Sequence, residues 1–117
     1  MTSPSTRESP HDRPITLINI FEVPAEQVED FIAQWRSRAQ VMAAAPGFRD
    51  ARLHRAASPQ ARFQLVNVAH WDSRADLDAA WGSGAFQDRL RALREDPQSR
   101  FSASPAVYEV VAELGAP

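Results

Sequence analysis

The sequence predicts an α+β fold: one antiparallel, four-stranded sheet with its helices gathered on one face. Three features of the chain point that way. Two stretches, 15–23 and 63–71, are rich in β-branched and aromatic residues over strand-like lengths, and two more, 49–55 and 106–114, have strand-like length and bounds. Between them, apolar residues recur at helical spacing. Proline, glycine and serine punctuate the chain where one pattern gives way to the other.

Residues 1–13 are Ser, Thr, Pro and charge, too polar to order themselves, and read as a flexible tail. Residues 14–117 then form a single domain, as the length of 117 residues allows. The first strand spans 15–23. One face carries Ile15, Leu17, Asn19, Phe21 and Val23, the other Thr16, Ile18, Ile20 and Glu22. Both are largely apolar, which predicts cover on both sides. Pro24 stops the strand and opens a helix, with Glu26, Glu29 and Asp30 at its positive end. Val28, Phe31, Ile32, Trp35, Ala39 and Met42 form its apolar stripe, and Pro46-Gly47 ends it.

Residues 49–55 read as a more polar second strand, nearer an edge, with a turn at Ser58-Pro59-Gln60. Residues 63–71 make the third strand, apolar on both faces. Ser73 and Asp76 have capping-box spacing for a short helix that runs to Trp81 and breaks at Gly82 and Gly84. A further helix carries Phe86, Leu90 and Leu93. Residues 95–105 read as loop and 106–114 as the last strand. The order β-α-β-β-α-β is the split βαβ, or ferredoxin-like, arrangement. Its sheet order, 4-1-3-2, makes the first and third strands central neighbours. Helices on one face leave Ile18, Ile20, Val66 and Val68 bare on the other, so a second copy is expected to pack there, giving a homodimer.

Composition narrows the chemistry. The chain is 44% hydrophobic and 24% charged, as an ordinary globular protein is. Its net charge of −2 argues against nucleic acid or anionic membrane as a partner. No apolar run is long enough to span a membrane, and the first residues lack a signal-peptide core, so the cytoplasm is the expected compartment. There is no cysteine, hence no thiolate nucleophile, disulfide or thiolate metal site. All thirteen basic residues are arginine, so no lysine can form a Schiff base. His11, His54 and His70 have no metal-ligand spacing, and no bound metal is expected.

Strand alternation makes one sharp statement. Asn67 and Trp71 share a face of the third strand with Phe63, Leu65 and Ala69, while Asn19 shares a face of the first with Leu17 and Phe21. If these are the helix-side faces, two carboxamides stand together in apolar surroundings. They either bond each other or a buried water, or they present donors and acceptors to a ligand. Trp71 alone reads equally as a core aromatic. Phe31, Trp35, Trp81 and Phe86 are placed to shape the pocket. No Asp, Glu or His lies on the inner faces as a base. Arg89 and Arg91 could steer a phenolate, but solvated surface is the simpler reading. His70 points away from Trp71, toward the expected dimer face.

Residues 15–23, the Pro46-Gly47-Phe48 turn and the run Val66-Asn67-Val68-Ala69-His70-Trp71-Asp72-Ser73 resemble the antibiotic biosynthesis monooxygenase superfamily of dimeric α/β barrels. Asn67-x-x-x-Trp71 with Asn19 is similar to the anthrone monooxygenases of aromatic polyketide pathways, which oxidise an anthrone to a quinone with O₂ and no cofactor. The resemblance implies Asn19, Asn67 and Trp71 as catalytic residues. It implies Phe21, Phe31, Trp35, Leu65, Trp81, Phe86 and Leu90 as the substrate wall. Other readings stay open: a cofactor-free oxygenase of quinols or small phenols, or a non-catalytic dimer that binds a hydrophobic metabolite. The superfamily also contains heme-degrading enzymes. Asn19 and Trp81 could match two of their residues, but Leu90 stands nine after Trp81, where that branch places its axial histidine, and no histidine follows His70.

Overall fold

A computed structural model describes residues 13–117. The chain runs β1 (Ile15–Glu22), α1 (Val28–Ala43), β2 (Phe48–Arg55), β3 (Leu65–Trp71), α2 (Arg74–Trp81), α3 (Gly84–Glu95) and β4 (Ser102–Tyr108). The tail expected over residues 1–13 lies outside the described residues, apart from Arg13. The strands form one antiparallel sheet in the order β2-β3-β1-β4. This is the ferredoxin-like arrangement the sequence predicts, as a single open sheet.

Alternation decides which side chains meet the helices. Ile15, Leu17, Asn19 and Phe21 of β1 are buried, as are Leu65, Asn67, Ala69 and Trp71 of β3. They pack with Met42 of α1, Leu77 of α2, and Phe86 and Leu90 of α3, or with Phe31 and Leu93 in a second cluster. Leu65 is fully enclosed, a burial that contributes roughly 1.5–3 kcal/mol. Thr16, Ile18, Ile20, Val66 and Val68 point the other way and stay only half-buried. Cover on both sides is therefore not supplied within one chain.

The punctuation works largely as read. Pro24 leads into a short 3₁₀ turn, Ala25–Gln27, so α1 starts one turn later than expected. The Ser73 hydroxyl accepts from the Asp76 backbone N–H at 3.0 Å and starts α2. Gly82 and Ser83 separate α2 from α3, and Ser83 caps α3 through the Phe86 N–H at 3.3 Å. Gly47 has φ of 87°, a conformation that favours glycine, and a Cβ there would strike the Asp76 carboxylate. Its carbonyl accepts from the Asp72 N–H at 2.7 Å, which fixes the α1–β2 turn against the end of β3.

The last strand corrects the sequence reading. The sequence pattern places it at 106–114, but β4 is Ser102–Tyr108 and contains Pro105. Proline reads as a strand breaker, yet β4 is an edge strand, where a missing N–H can face outward. The apolar residues that suggested a later strand lie beyond it. Val110, Val111 and Leu114 are exposed, and residues 109–117 have no regular structure.

Candidate active site

Asn19 and Asn67 are direct partners in the β1–β3 register. Opposite residues of an antiparallel pair hold their Cβ atoms about 4.5–5.5 Å apart. Both side chains are buried, at 6% and 8% exposure. They make no mutual hydrogen bond: both Oδ1 atoms are buried without a partner among the described residues. An unpaired buried acceptor costs roughly 1–3 kcal/mol, so the arrangement is poor as a purely structural one. It leaves two acceptors free for a donor on a ligand. A half-turn of either amide presents N–H donors instead.

These amides line a cavity of about 160 Å³ between the sheet and the helices. Trp71, at 1% exposure, closes one side and meets the Phe48 ring edge-on at 5.3 Å. Trp81 and Phe86 lie 5.0 Å apart on the helix side, and Trp35, Phe21 and Leu90 also line the space. Of the expected wall residues, Phe31 and Leu65 sit behind the cavity, in the core cluster with Phe21 and Leu93. Phe31 supports the wall through Phe21, at 4.8 Å between ring centroids.

Sequence reasoning missed the charged part of the lining. Arg38 of α1 and Arg94 of α3 both border the cavity. Arg94 is exposed, whereas Arg38 is only 7% exposed. Burial lowers the Arg38 pKa to about 10, which leaves it a cation at neutral pH. Its guanidinium lies 5.2 Å above the Phe31 ring. No carboxylate answers it: Arg38 has no ion pair or side-chain hydrogen bond among the described residues, and no Asp, Glu or His lines the cavity. The signal was present in the sequence. Phe31, Trp35, Arg38 and Met42 share one helical stripe, so Arg38 interrupts an otherwise apolar register.

The other charged candidates lie elsewhere. Arg89 donates to Ser37 Oγ at 3.2 Å, and Arg91 pairs with Asp88 at 3.1 Å. His70 is exposed on the opposite sheet face, with its Nδ1 2.6 Å from Asp50 Oδ1. His54, opposite Val66, faces the same way. Among the described residues no group of three or more His, Asp or Glu side chains could hold a metal ion. No helix among the described residues is long and apolar enough to cross a membrane.

Comparison with known proteins agrees with this architecture. A candidate monooxygenase from Shewanella loihica PV-4 is 37% identical, with 86% of this chain and 97% of that chain covered, at a TM-score of 0.70. SnoaB of Streptomyces nogalater, a cofactor-independent oxygenase, shares the fold at a TM-score of 0.72 and 22% identity, over 89% of this chain and 99% of its own. The heme-degrader MhuD of Mycobacterium tuberculosis is 28% identical, over 86% and 99%, at a TM-score of 0.63. No curated protein matches the sequence. The family profile for antibiotic biosynthesis monooxygenases matches residues 14–92, which run from β1 into α3 and hold most of the cavity wall. By that match and by its likeness to the Shewanella protein, this chain belongs to the antibiotic biosynthesis monooxygenase family.

Proposed function

We propose that the protein is a cofactor-free monooxygenase that oxidises an electron-rich phenolic substrate of the anthrone type to a quinone with O₂. One observation carries the reading: two opposed amides with free oxygens stand beside Trp71 in a buried aromatic cavity. The family match and the likeness to SnoaB support it.

An anthrone is acidic at the CH₂ opposite its carbonyl. Loss of that proton moves charge onto the carbonyl oxygen, where N–H donors of Asn19 and Asn67 stabilise it in a site shielded from water. The enolate passes one electron to O₂, giving a substrate radical and superoxide. Their recombination forms the C–O bond of a peroxide. After protonation, loss of water leaves the new carbonyl, so CH₂ and O₂ become C=O and H₂O. Trp71 packs on the polycycle, and its indole N–H is a donor for the peroxide.

The cavity volume supports a second substrate class. At about 160 Å³ it falls below the ~300–1,000 Å³ usual for ligand pockets. A one- or two-ring quinol is enclosed more fully there than a tricycle. A heme-degrading role, suggested by the likeness to MhuD, does not fit these residues. Leu90 lines the cavity where the axial histidine would be needed, and His54 and His70 occupy the opposite face.

The test is aerobic turnover without added cofactor. Dithranol, emodin anthrone, naphthohydroquinone and hydroquinone are each incubated with the purified protein, and O₂ uptake is followed with quinone absorbance. An anthrone or a quinol is expected to be oxidised well above the buffer blank. Rates equal to the blank with all four would sink the oxygenase reading. Saturable binding without O₂ uptake would then leave a metabolite-binding dimer.

We also propose a homodimer through the open sheet face. Ile18, Ile20, Val66 and Val68 form its apolar centre, with Arg52 and the Asp50–His70 pair toward the β2 edge. A second copy of the same face complements it.

A further inference from the structure

We propose that Arg38 makes the cavity an anion site: the substrate is held as a phenolate or enolate, and its ionisation against this guanidinium replaces a general base from the protein. The inference rests on the oxygenase reading for its chemistry but not for its test.

A buried arginine ordinarily has a carboxylate to answer it. Among the described residues Arg38 has none, and its stacking over Phe31 uses a face of the guanidinium while engaging none of its five N–H donors. The charges around it do not neutralise it. On α1, the residues three and four positions away are Gln34, Trp35, Val41 and Met42, all uncharged. From α3, Arg94 borders the same cavity and adds positive charge, as does Arg89 on the nearby surface. Asp96, just past α3, shares a shallow outer groove with Arg38. It forms no ion pair among the described residues, and its Oδ1 accepts from the Gln98 N–H at 2.9 Å. The sheet contributes only uncharged side chains to the cavity.

A site with two cations, free amide groups and no carboxylate favours a ligand that brings its own negative charge. The same arrangement accounts for the missing base. A nearby cation in a poorly solvated space favours the ionised form of an acid. The substrate proton therefore leaves to bulk water, and the anion remains beside Arg38, ready to give up an electron. Arg38 acts on the proton equilibrium and takes no proton itself, since its own pKa stays near 10.

Two small ligands of similar size test this, neither of them oxidised by O₂. 4-Nitrophenol ionises and its anion absorbs visible light; 4-nitroanisole cannot ionise. At a pH where free nitrophenol is ionised, the wild type is expected to bind the phenolate about tenfold or more tightly than the anisole. The bound phenol should ionise about one pH unit or more below its free value. Arg38→Gln should lose both effects, and Arg38→Lys, which keeps the charge, should retain most of them. Arg91→Gln, away from the cavity, should change neither. Equal wild-type affinity for the two ligands overturns the proposal whether or not the glutamine variant folds. So does a folded Arg38→Gln that keeps the preference. Anion preference without O₂ uptake defeats only the oxygenase reading, and turnover without anion preference defeats only this one.

Discussion

Alternate residues of the same two strands meet opposite surroundings. Leu17, Asn19 and Phe21 of β1, with Leu65, Asn67 and Ala69 of β3, lie buried beneath the helices. Ile18, Ile20, Val66 and Val68, one step along each strand, remain half-exposed. Among the described residues, the covered face hides polar atoms that have no partner, and the open face shows apolar atoms that have no cover. Each arrangement is unfavourable in the isolated chain, and each would be relieved by a different complement. A small molecule with donors and negative charge suits the first. A flat apolar protein surface suits the second. The two-residue period of a strand thus gives one sheet two faces whose side chains meet separate surroundings.

The largest effect should come from the covered face. Asn67→Leu keeps the size of the side chain and removes an unpaired acceptor. Turnover of the best substrate should fall about 100-fold or more, while stability to urea should rise by about 1 kcal/mol. If activity survives, the amide pair is not the reactive centre.

Next in size is the open face. Val68→Asp places a charge at its apolar centre and should shift a dimer to monomer at micromolar concentration, read by light scattering, with helix content unchanged. A variant that stays dimeric moves the interface elsewhere.

The smallest effect concerns Arg38 without ligand. Replacing a buried, unanswered cation by Arg38→Met should stabilise the fold by about 1 kcal/mol at pH 7, allowing for the lost stacking on Phe31. The sign with pH follows from a folded pKa lowered by burial to about 10. Below that pH both folded and unfolded states hold the proton, and the burial penalty is full. Above it the folded state releases the proton first, so the wild type recovers and the advantage of methionine should shrink. Urea unfolding at pH 7 and above pH 10 checks both parts.

The strands were legible because residues 15–23 and 63–71 are dense in β-branched and aromatic residues and their two-residue period sorts each side chain to one of two faces, but both faces are largely apolar, so only the structure shows which one meets the helices. The asparagine pair was legible for the same reason, since face and sheet order together made Asn19 and Asn67 neighbours. The last strand was not. Pro105 hid a strand that tolerates it only at an edge, and Val110, Val111 and Leu114 imitated one that does not form. Arg38 was overlooked because a charged residue on a helix is ordinarily solvated. Its place in the Phe31–Trp35–Met42 register becomes telling only when α1 is known to cover the sheet.

Pro105 has a reach beyond its own strand. It removes a donor from the β4 side of the sheet, while the β2 side is broken by a register shift between Phe48 and Asp50 and lined with Arg49, Arg52 and Arg55. Neither border is a good template for another strand. Chains that meet border to border could add without limit and precipitate. Chains that can meet only across a broad surface consume that surface when they pair, and growth stops at a finite particle. A proline that breaks the local strand rule thus leaves one border of the sheet with one donor fewer for open-ended growth.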